Sequence, residues 1–274
     1  QLEYIENLYN HESKQSLLTL IGKMLAKFPN SSVLYNIIGI INADLEQYQD
    51  AVENYQSAIN IKPDYADAYN NMANALKNLN KLTDAILAYK KALNIKPDCA
   101  EIYYNMGGAL KELGKLEEAI NAFDSATSLK PNYIEAYNNK ANALREQGRL
   151  DAALEIYGKL LHLKPDFAEG YNNLGTTLKE QGKLEEALEA YDKALAINPD
   201  YAEAFNNIGI VLQAQGKLDK AIDAYDKALL IEPDYAQAHN NMGNALKEQG
   251  VLDEAIVSYS KALAINPDYA ETYN

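Results

Sequence analysis

The sequence predicts an all-α fold, a solenoid of stacked antiparallel helix hairpins. Three periodic features carry that reading. All 8 prolines fall in one series, Pro29, Pro63, Pro97, Pro131, Pro165, Pro199, Pro233 and Pro267, at a constant spacing of 34 residues, the length of a helix–turn–helix unit. Alanine recurs at the same interval as Ala51, Ala85, Ala119, Ala153, Ala187, Ala221 and Ala255. A small residue recurs likewise as Gly39, Ala73, Gly107, Ala141, Gly175, Gly209 and Gly243. Small side chains in register on two helices mark a close crossing, where a larger residue would overpack by about 1–3 kcal/mol.

Within the unit 168–201, Tyr171, Leu174, Gly175 and Leu178 recur at helical spacing and give a first amphipathic helix. Gly182 ends it, because glycine takes the left-handed conformation needed just past a helix. Leu184, Ala187, Leu188, Tyr191, Ala194 and Leu195 form the apolar side of a second helix, which Pro199 stops. Asp200 is placed as the N-cap of the next first helix, with Glu203 completing a capping box. Asp64/Asp67, Asp98/Glu101 and Asp166/Glu169 repeat that arrangement. Aromatics fill the remaining volume, Tyr69, Tyr103, Tyr137, Tyr171 and Phe205 in first helices and Tyr89, Phe123, Tyr157, Tyr191 and Tyr225 in second ones.

Seven units are expected, at 32–65, 66–99, 100–133, 134–167, 168–201, 202–235 and 236–269. Residues 1–31 read as a degenerate N-terminal capping repeat, with Pro29 retained and Leu17 where later units have Ala. Residues 270–274 read as the start of a further, truncated repeat. No linker or low-complexity stretch separates the units, so the whole is expected to be one elongated domain.

Composition narrows the function. With 39 acidic and 25 basic residues the formal net charge is -14. Such a surface repels phosphate backbones and anionic membranes, so neither nucleic acid nor membrane is expected as a partner. A single cysteine, Cys99, excludes an internal disulfide framework. No apolar run has transmembrane length, and the expected location is cytoplasmic. Gly-rich phosphate loops, metal-ligand spacings and nucleophile–His pairings are missing from the sequence, so the expectation is a non-enzyme with no cofactor and no metal. His239, in the slot of a core aromatic, and His162, near a helix end, read as structural. Cys99 reads as a small buried replacement for Tyr or Phe, and Glu185–Glu186 as a solvated face. Lys140, at a position that Met72, Met106 and Leu174 fill elsewhere, is unexplained by the pattern.

Asparagine is the candidate functional residue. Asn71, Asn105, Asn139, Asn173, Asn207 and Asn241 recur every 34 residues inside the first helices, where Asn is a mediocre helix former. Asn70, Asn138, Asn172, Asn206 and Asn240 precede most of them, and Asn74, Asn142 and Asn244 follow one turn later. On a helical wheel, Asn172, Asn173, Thr176, Lys179 and Glu180 lie opposite the apolar arc. Lys77, Lys111, Arg145, Lys179 and Lys247 run alongside. An amide carries both an acceptor and a donor and can pair with both backbone groups of an extended peptide. The competing reading is that these amides bridge neighbouring helices or solvate the surface.

The aromatic, Leu-Gly, Ala, aromatic, Ala and Pro pattern at these separations resembles the tetratricopeptide repeat (TPR) family over nearly the whole chain. The resemblance implies a right-handed superhelical solenoid whose first helices line a concave groove, and a protein–protein interaction scaffold that takes an extended peptide or protein segment. The Asn series is similar to the ladder in the repeat arrays of the O-linked N-acetylglucosamine transferases, departing from it at Ile37. That likeness leaves an alternative, the recognition arm of a larger glycosyltransferase-like enzyme. A structural array, self-associating end to end, is the other. The family's clamp for C-terminal carboxylates needs Lys and Arg beside Asn, whereas Asn70 and Asn74, or Asn138 and Asn142, stand there. Chaperone-tail binding of that kind is therefore not expected.

Overall fold

In the computed structural model, residues 14–267 are described. Among them are fifteen α-helices and no strand: α1 (Lys14–Lys27), α2 (Ser32–Asp44), α3 (Tyr48–Ile61), α4 (Ala66–Asn78), α5 (Leu82–Ile95), α6 (Ala100–Glu112), α7 (Leu116–Leu129), α8 (Ile134–Glu146), α9 (Leu150–Leu163), α10 (Ala168–Glu180), α11 (Leu184–Ile197), α12 (Ala202–Ala214), α13 (Leu218–Ile231), α14 (Ala236–Gln249) and α15 (Leu252–Ile265). Even-numbered helices are the first of each repeat and odd-numbered ones from α3 the second. The expected further repeat at 270–274, and the first 13 residues of the expected cap, lie outside the described residues.

Contacts group the chain into two units, Gln1–Ala143 and Leu144–Asn274. In a repeat array each unit touches only its neighbours, so no single core ties the whole together. In the N-terminal unit, α2–α3, α4–α5 and α6–α7 are packed hairpins, α3 packs on α4 and α5 on α6. First helices also meet directly, α2 with α4 and α4 with α6. The C-terminal unit repeats the scheme with hairpins α10–α11, α12–α13 and α14–α15, and with α10 on α12 and α12 on α14.

The hairpin crossing is set by an aromatic ring. A Cβ built on Gly39 would lie 2.5 Å from the Tyr55 ring, on Gly175 2.6 Å from Tyr191 and on Gly209 2.4 Å from Tyr225. The small first-helix residue therefore meets the second-helix aromatic, one turn beyond the alanine of the other series. Ala73, fully buried against the same core as Tyr89, shows that a methyl can be fitted at this position. The alanine series is fully buried from Ala51 to Ala221.

Each first helix closes with the same turn. Gly114 (φ +76) donates its N–H to Lys111 O at 2.9 Å and Lys115 donates to Leu110 O at 2.9 Å, the paired bonds of a Schellman motif. Gly148, Gly182, Gly216 and Gly250 hold the same left-handed conformation. Glu46 (φ 60) and Asn80 (φ 58) hold it without being glycine, and Asn80–Lys81 and Glu46–Gln47 make the same two bonds. Second helices end because the residue before each proline is forced out of the helical region. Lys62, for instance, sits at φ -129, ψ 90 ahead of Pro63.

The expected aspartate caps are one residue out of place. The N-caps are Tyr65, Cys99, Phe167 and Tyr201, with no side-chain capping bond. Two of these are rings packed under a lysine, Lys62 lying 5.0 Å from the Tyr65 ring and Lys164 5.1 Å from that of Phe167. Packing of the aromatic thus fixes the helix start, and Asp64 and Asp200 remain in the preceding turn. Ser31 is different: its hydroxyl accepts from Leu34 N–H at 3.4 Å.

Two predictions follow from this packing. Glu46→Gly relieves a left-handed residue with a side chain and should stabilise the protein by about 1 kcal/mol in chemical denaturation; no gain would mean that the turn is unstrained. Burial, opposed by a bond from Thr176 and aided by Glu203 and Glu180, pushes the Tyr191 phenol up to about 12 from 10.0. Burial also raises Tyr55, Tyr89, Tyr157 and Tyr225. The unfolded chain therefore loses phenolic protons first, so stability that is full below pH 10 should fall steadily between pH 10 and 12. A melting temperature that stays flat across that window would contradict it.

Candidate functional site

The asparagine rows meet across repeats at a separation of 35 residues. Asn71 Nδ2 donates to Asn36 Oδ1 at 3.2 Å, Asn105 to Asn70 at 3.4 Å, Asn207 to Asn172 at 3.0 Å and Asn241 to Asn206 at 3.0 Å. Where Tyr104 replaces the first asparagine, Asn139 donates to its hydroxyl at 3.2 Å. The second asparagine of one repeat thus reaches back to the first of the repeat before. Asn71, Asn105, Asn139, Asn173 and Asn241 are half-buried, and Asn207 is buried.

The first asparagines do not face outward as the helical wheel suggests. Asn172 is fully buried, and Asn138, Asn206 and Asn240 are buried too, while Asn70 is half-buried. A solenoid helix packs against its hairpin partner and both neighbouring repeats, so the arc opposite the hairpin is not all solvent. Asn172 accepts from Asn207 and donates to Glu203 Oε1 at 3.0 Å, which gives that glutamate an inter-repeat role in place of the expected capping box. Asn240 Oδ1 is buried without a partner.

The third row supports the core. Asn74 accepts from the Tyr89 hydroxyl at 2.5 Å and Asn244 from Tyr259 at 2.8 Å, and Thr176 shares a bond with Tyr191 at 3.3 Å. A buried phenol needs a hydrogen-bond partner. The corresponding position beside Phe123, which has no hydroxyl, is Gly108. Beside Tyr225 it is Ile210, and there Gln213 accepts the hydroxyl at 3.0 Å. Asn142, in the same row, is half-buried.

The charged row also bridges first helices 35 residues apart. Lys77 pairs with Glu112 at 3.3 Å and Arg145 with Glu180 at 2.8 Å, and Gln213 donates to Glu248 at 2.6 Å. Lys179 is half-buried and makes no ion pair among the described residues. Burial, with a smaller contribution from Arg145 and against the pull of Glu180, lowers its pKa.

Lys140, unexplained by the sequence pattern, pairs with Asp124 on the preceding helix α7. Its stem fills the apolar slot while the ammonium meets a half-exposed carboxylate. His239 is buried with Nε2 3.0 Å from Pro233 O, a structural bond, whereas His162 is exposed. Cys99 is half-buried against the core. Among the described residues no group of three or more His, Cys, Asp or Glu could hold a metal ion, and no helix is long and apolar enough to cross a membrane.

Removing one partner of the Lys140 pair should separate packing from charge. Asp124→Ala leaves a mostly buried ammonium unpaired and should cost about 1 kcal/mol, whereas Lys140→Met restores the residue of sister repeats and should be neutral or stabilising. Equal losses in denaturant titrations of the two variants would overturn this account.

No curated protein matches this chain. Among solved structures, the MamA protein is 30% identical, with a TM-score of 0.52 over 63% of this chain and 94% of its own. YrrB, described as a TPR protein with an unusual peptide-binding site, is 25% identical, with a TM-score of 0.50 over 68% of this chain and 96% of its own. A chain of the APC/C hetero-tetramer Cut9–Hcn1 shares the fold at 18% identity, with a TM-score of 0.65 over 99% of this chain and 54% of its own. The TPR repeat family matches residues 41–80, 73–114, 107–144, 141–182, 176–216, 212–250 and 243–274, and on that coverage, with the hairpin array and the ring-on-glycine crossings, the chain belongs to the TPR repeat family.

Proposed function

We propose that this protein is a non-catalytic interaction scaffold that holds extended peptide along the first helices of each unit, gripping the peptide backbone through Asn71, Asn105 and Asn139 in the N-terminal unit and Asn173, Asn207 and Asn241 in the C-terminal one. One observation carries the reading. At Asn71, Asn105, Asn139 and Asn241 a single amide N–H is used in the bridge to the preceding repeat, and the residue stays half-buried. An asparagine amide has two N–H donors and a carbonyl with two lone pairs. Each of these side chains therefore keeps an acceptor and a second donor, already oriented by the first bond. Bridging and binding are compatible roles of one amide, and the bridge reduces the entropy lost when a ligand engages.

In this reading the buried first asparagines lie behind the contact surface. Asn172 and Asn206 are buried acceptors, Asn138 and Asn240 are buried beside them, and Asn74 and Asn244 hold tyrosine hydroxyls. The peptide-binding site described for YrrB supports the same reading for this chain. Net gains of about 0.5–1.5 kcal/mol per hydrogen bond, less the cost of ordering a peptide, amount to about micromolar affinity at best. Such a ladder gives register without strong side-chain selectivity.

A random dodecapeptide library is the direct test. Selected peptides should bind the wild type, and Asn71→Ala/Asn105→Ala/Asn241→Ala should weaken them at least about tenfold, about 1.4 kcal/mol. The matched set Asn36→Ala/Asn70→Ala/Asn206→Ala removes the same bridges but keeps the proposed contacts, and should weaken binding less. N-methylation of the peptide backbone should harm binding more than side-chain changes. Equal losses in the two variant sets, or no selectable peptide, would sink the proposal.

A further inference from the structure

In the charged row, Lys179 is a half-buried cation with no acid 35 residues on. Three members reach a glutamate 35 residues on: Lys77 to Glu112, Arg145 to Glu180 and Gln213 to Glu248. For Lys179 the residue in that place is Ala214, at the end of α12. The ammonium therefore sits half-buried on α10 with no carboxylate supplied by the next repeat. Glu180 and Arg145 are the charges that act on it, and Glu180 is already bonded to Arg145 Nη1 at 2.8 Å.

Arg145 adds a second, independent observation. Its side chain is mostly buried, and its Nε is enclosed without a hydrogen-bond partner. Lys179 is thus half-buried without an ion pair among the described residues, and Glu180, the carboxylate that acts on it, is held by Arg145. A buried or half-buried cation without a counter-ion is costly, and an incoming anion relieves that cost. The chain as a whole carries a net charge of -14, so this spot stands against the prevailing field, which would repel an anion elsewhere.

We infer that Lys179, with Arg145 beside it, is the specificity pocket of the first-helix row and takes a carboxylate of the bound peptide. The inference rests on the peptide-binding reading and deepens it: the asparagines hold the backbone, and Lys179 sets the register by selecting an acidic group. The carboxylate takes the place that Glu112 and Glu248 fill beside their own partners. Lys179 is a positively charged binding residue with no part in any reaction.

The test uses amidated Ala-Ser dodecapeptides in which one Asp, or one Asn as control, is walked through every position. A third set has a free terminal carboxylate and no Asp, which separates an internal side chain from a chain end as the source. Binding is read by fluorescence polarisation with wild type, Lys179→Ala and Ala214→Glu. Ala214→Glu is the decisive variant, because it supplies the absent acid from within the chain while leaving every asparagine in place. The wild type should prefer one carboxylate position over its uncharged control by about fivefold, the scale of a partly exposed charge-assisted hydrogen bond. Both variants should lose that preference and keep the weaker binding of the Asn and amide controls.

Equal binding of charged and uncharged peptides by the wild type overturns the inference and leaves the backbone ladder standing. A preference that survives in both variants overturns it as well. If no peptide of any set binds, the peptide reading itself fails and this inference falls with it.

Discussion

The contact on which the rest depends is the one between the first-helix glycine and the ring of the second-helix aromatic. With a would-be Cβ only 2.4–2.6 Å from the ring in five repeats, the two helices approach until backbone meets aromatic face. That approach fixes the rotation of each first helix about its own axis. Position 175 faces the ring, so positions 172 and 173 must look toward neighbouring repeats and position 179 toward the next first helix. The polar rows are thus consequences of one apolar contact. A volume change there would turn the whole row, which is why the place is held by Gly or Ala throughout.

The rows then convert stacking into register. Apolar surfaces are non-directional and would tolerate a small slide of one repeat on the next. An amide pair at 3.0–3.4 Å and a charged pair at 35-residue separation do not. Each bridge is worth about 1 kcal/mol net, little beside the buried alanines and tyrosines. Its value lies in the asymmetry of failure: a slide would leave Asn172, fully enclosed, with neither Asn207 nor Glu203. Polar bonds of this kind specify an arrangement that packing has already made stable.

Much of this was legible in the sequence, and the failures share a cause. Proline stops, glycine turns and the two helices of each repeat follow from local chemistry and a constant period. The left-handed turn at Glu46 is invisible locally, because glutamate does not favour that conformation and only its place in the series of Gly114 and Gly148 marks it; Asn80 takes it more readily. The N-cap register slipped by one because Tyr65 and Phe167 are positioned by packing and cation–π contacts rather than by capping chemistry. Asn172 was assigned to an open face because a single helical wheel knows one partner, whereas a repeat helix has three. Lys140 could be paired with Asp124 only once α7 and α8 were placed side by side. A scan for complementary polar residues at 35-residue separation would have found the amide and charged bridges without any coordinates.

In a chain this periodic, the scaffold is read from what repeats and the selectivity from what does not. Two departures from the pattern are internally compensated. Phe123 lacks a hydroxyl, and Gly108 stands in its repeat where that of Tyr89 has Asn74, while Lys140 replaces an apolar residue with Asp124 within reach. Compensation marks a change that the fold absorbs. The departure at Ala214 is not compensated: the cation at Lys179 is retained, half-buried, while the acid that would meet it is gone. A purely structural array gains nothing from keeping that charge, since Ala or Gln at 179 would be cheaper to bury. The asymmetry between repaired and unrepaired departures is therefore itself an argument for the carboxylate inferred to pair with Lys179.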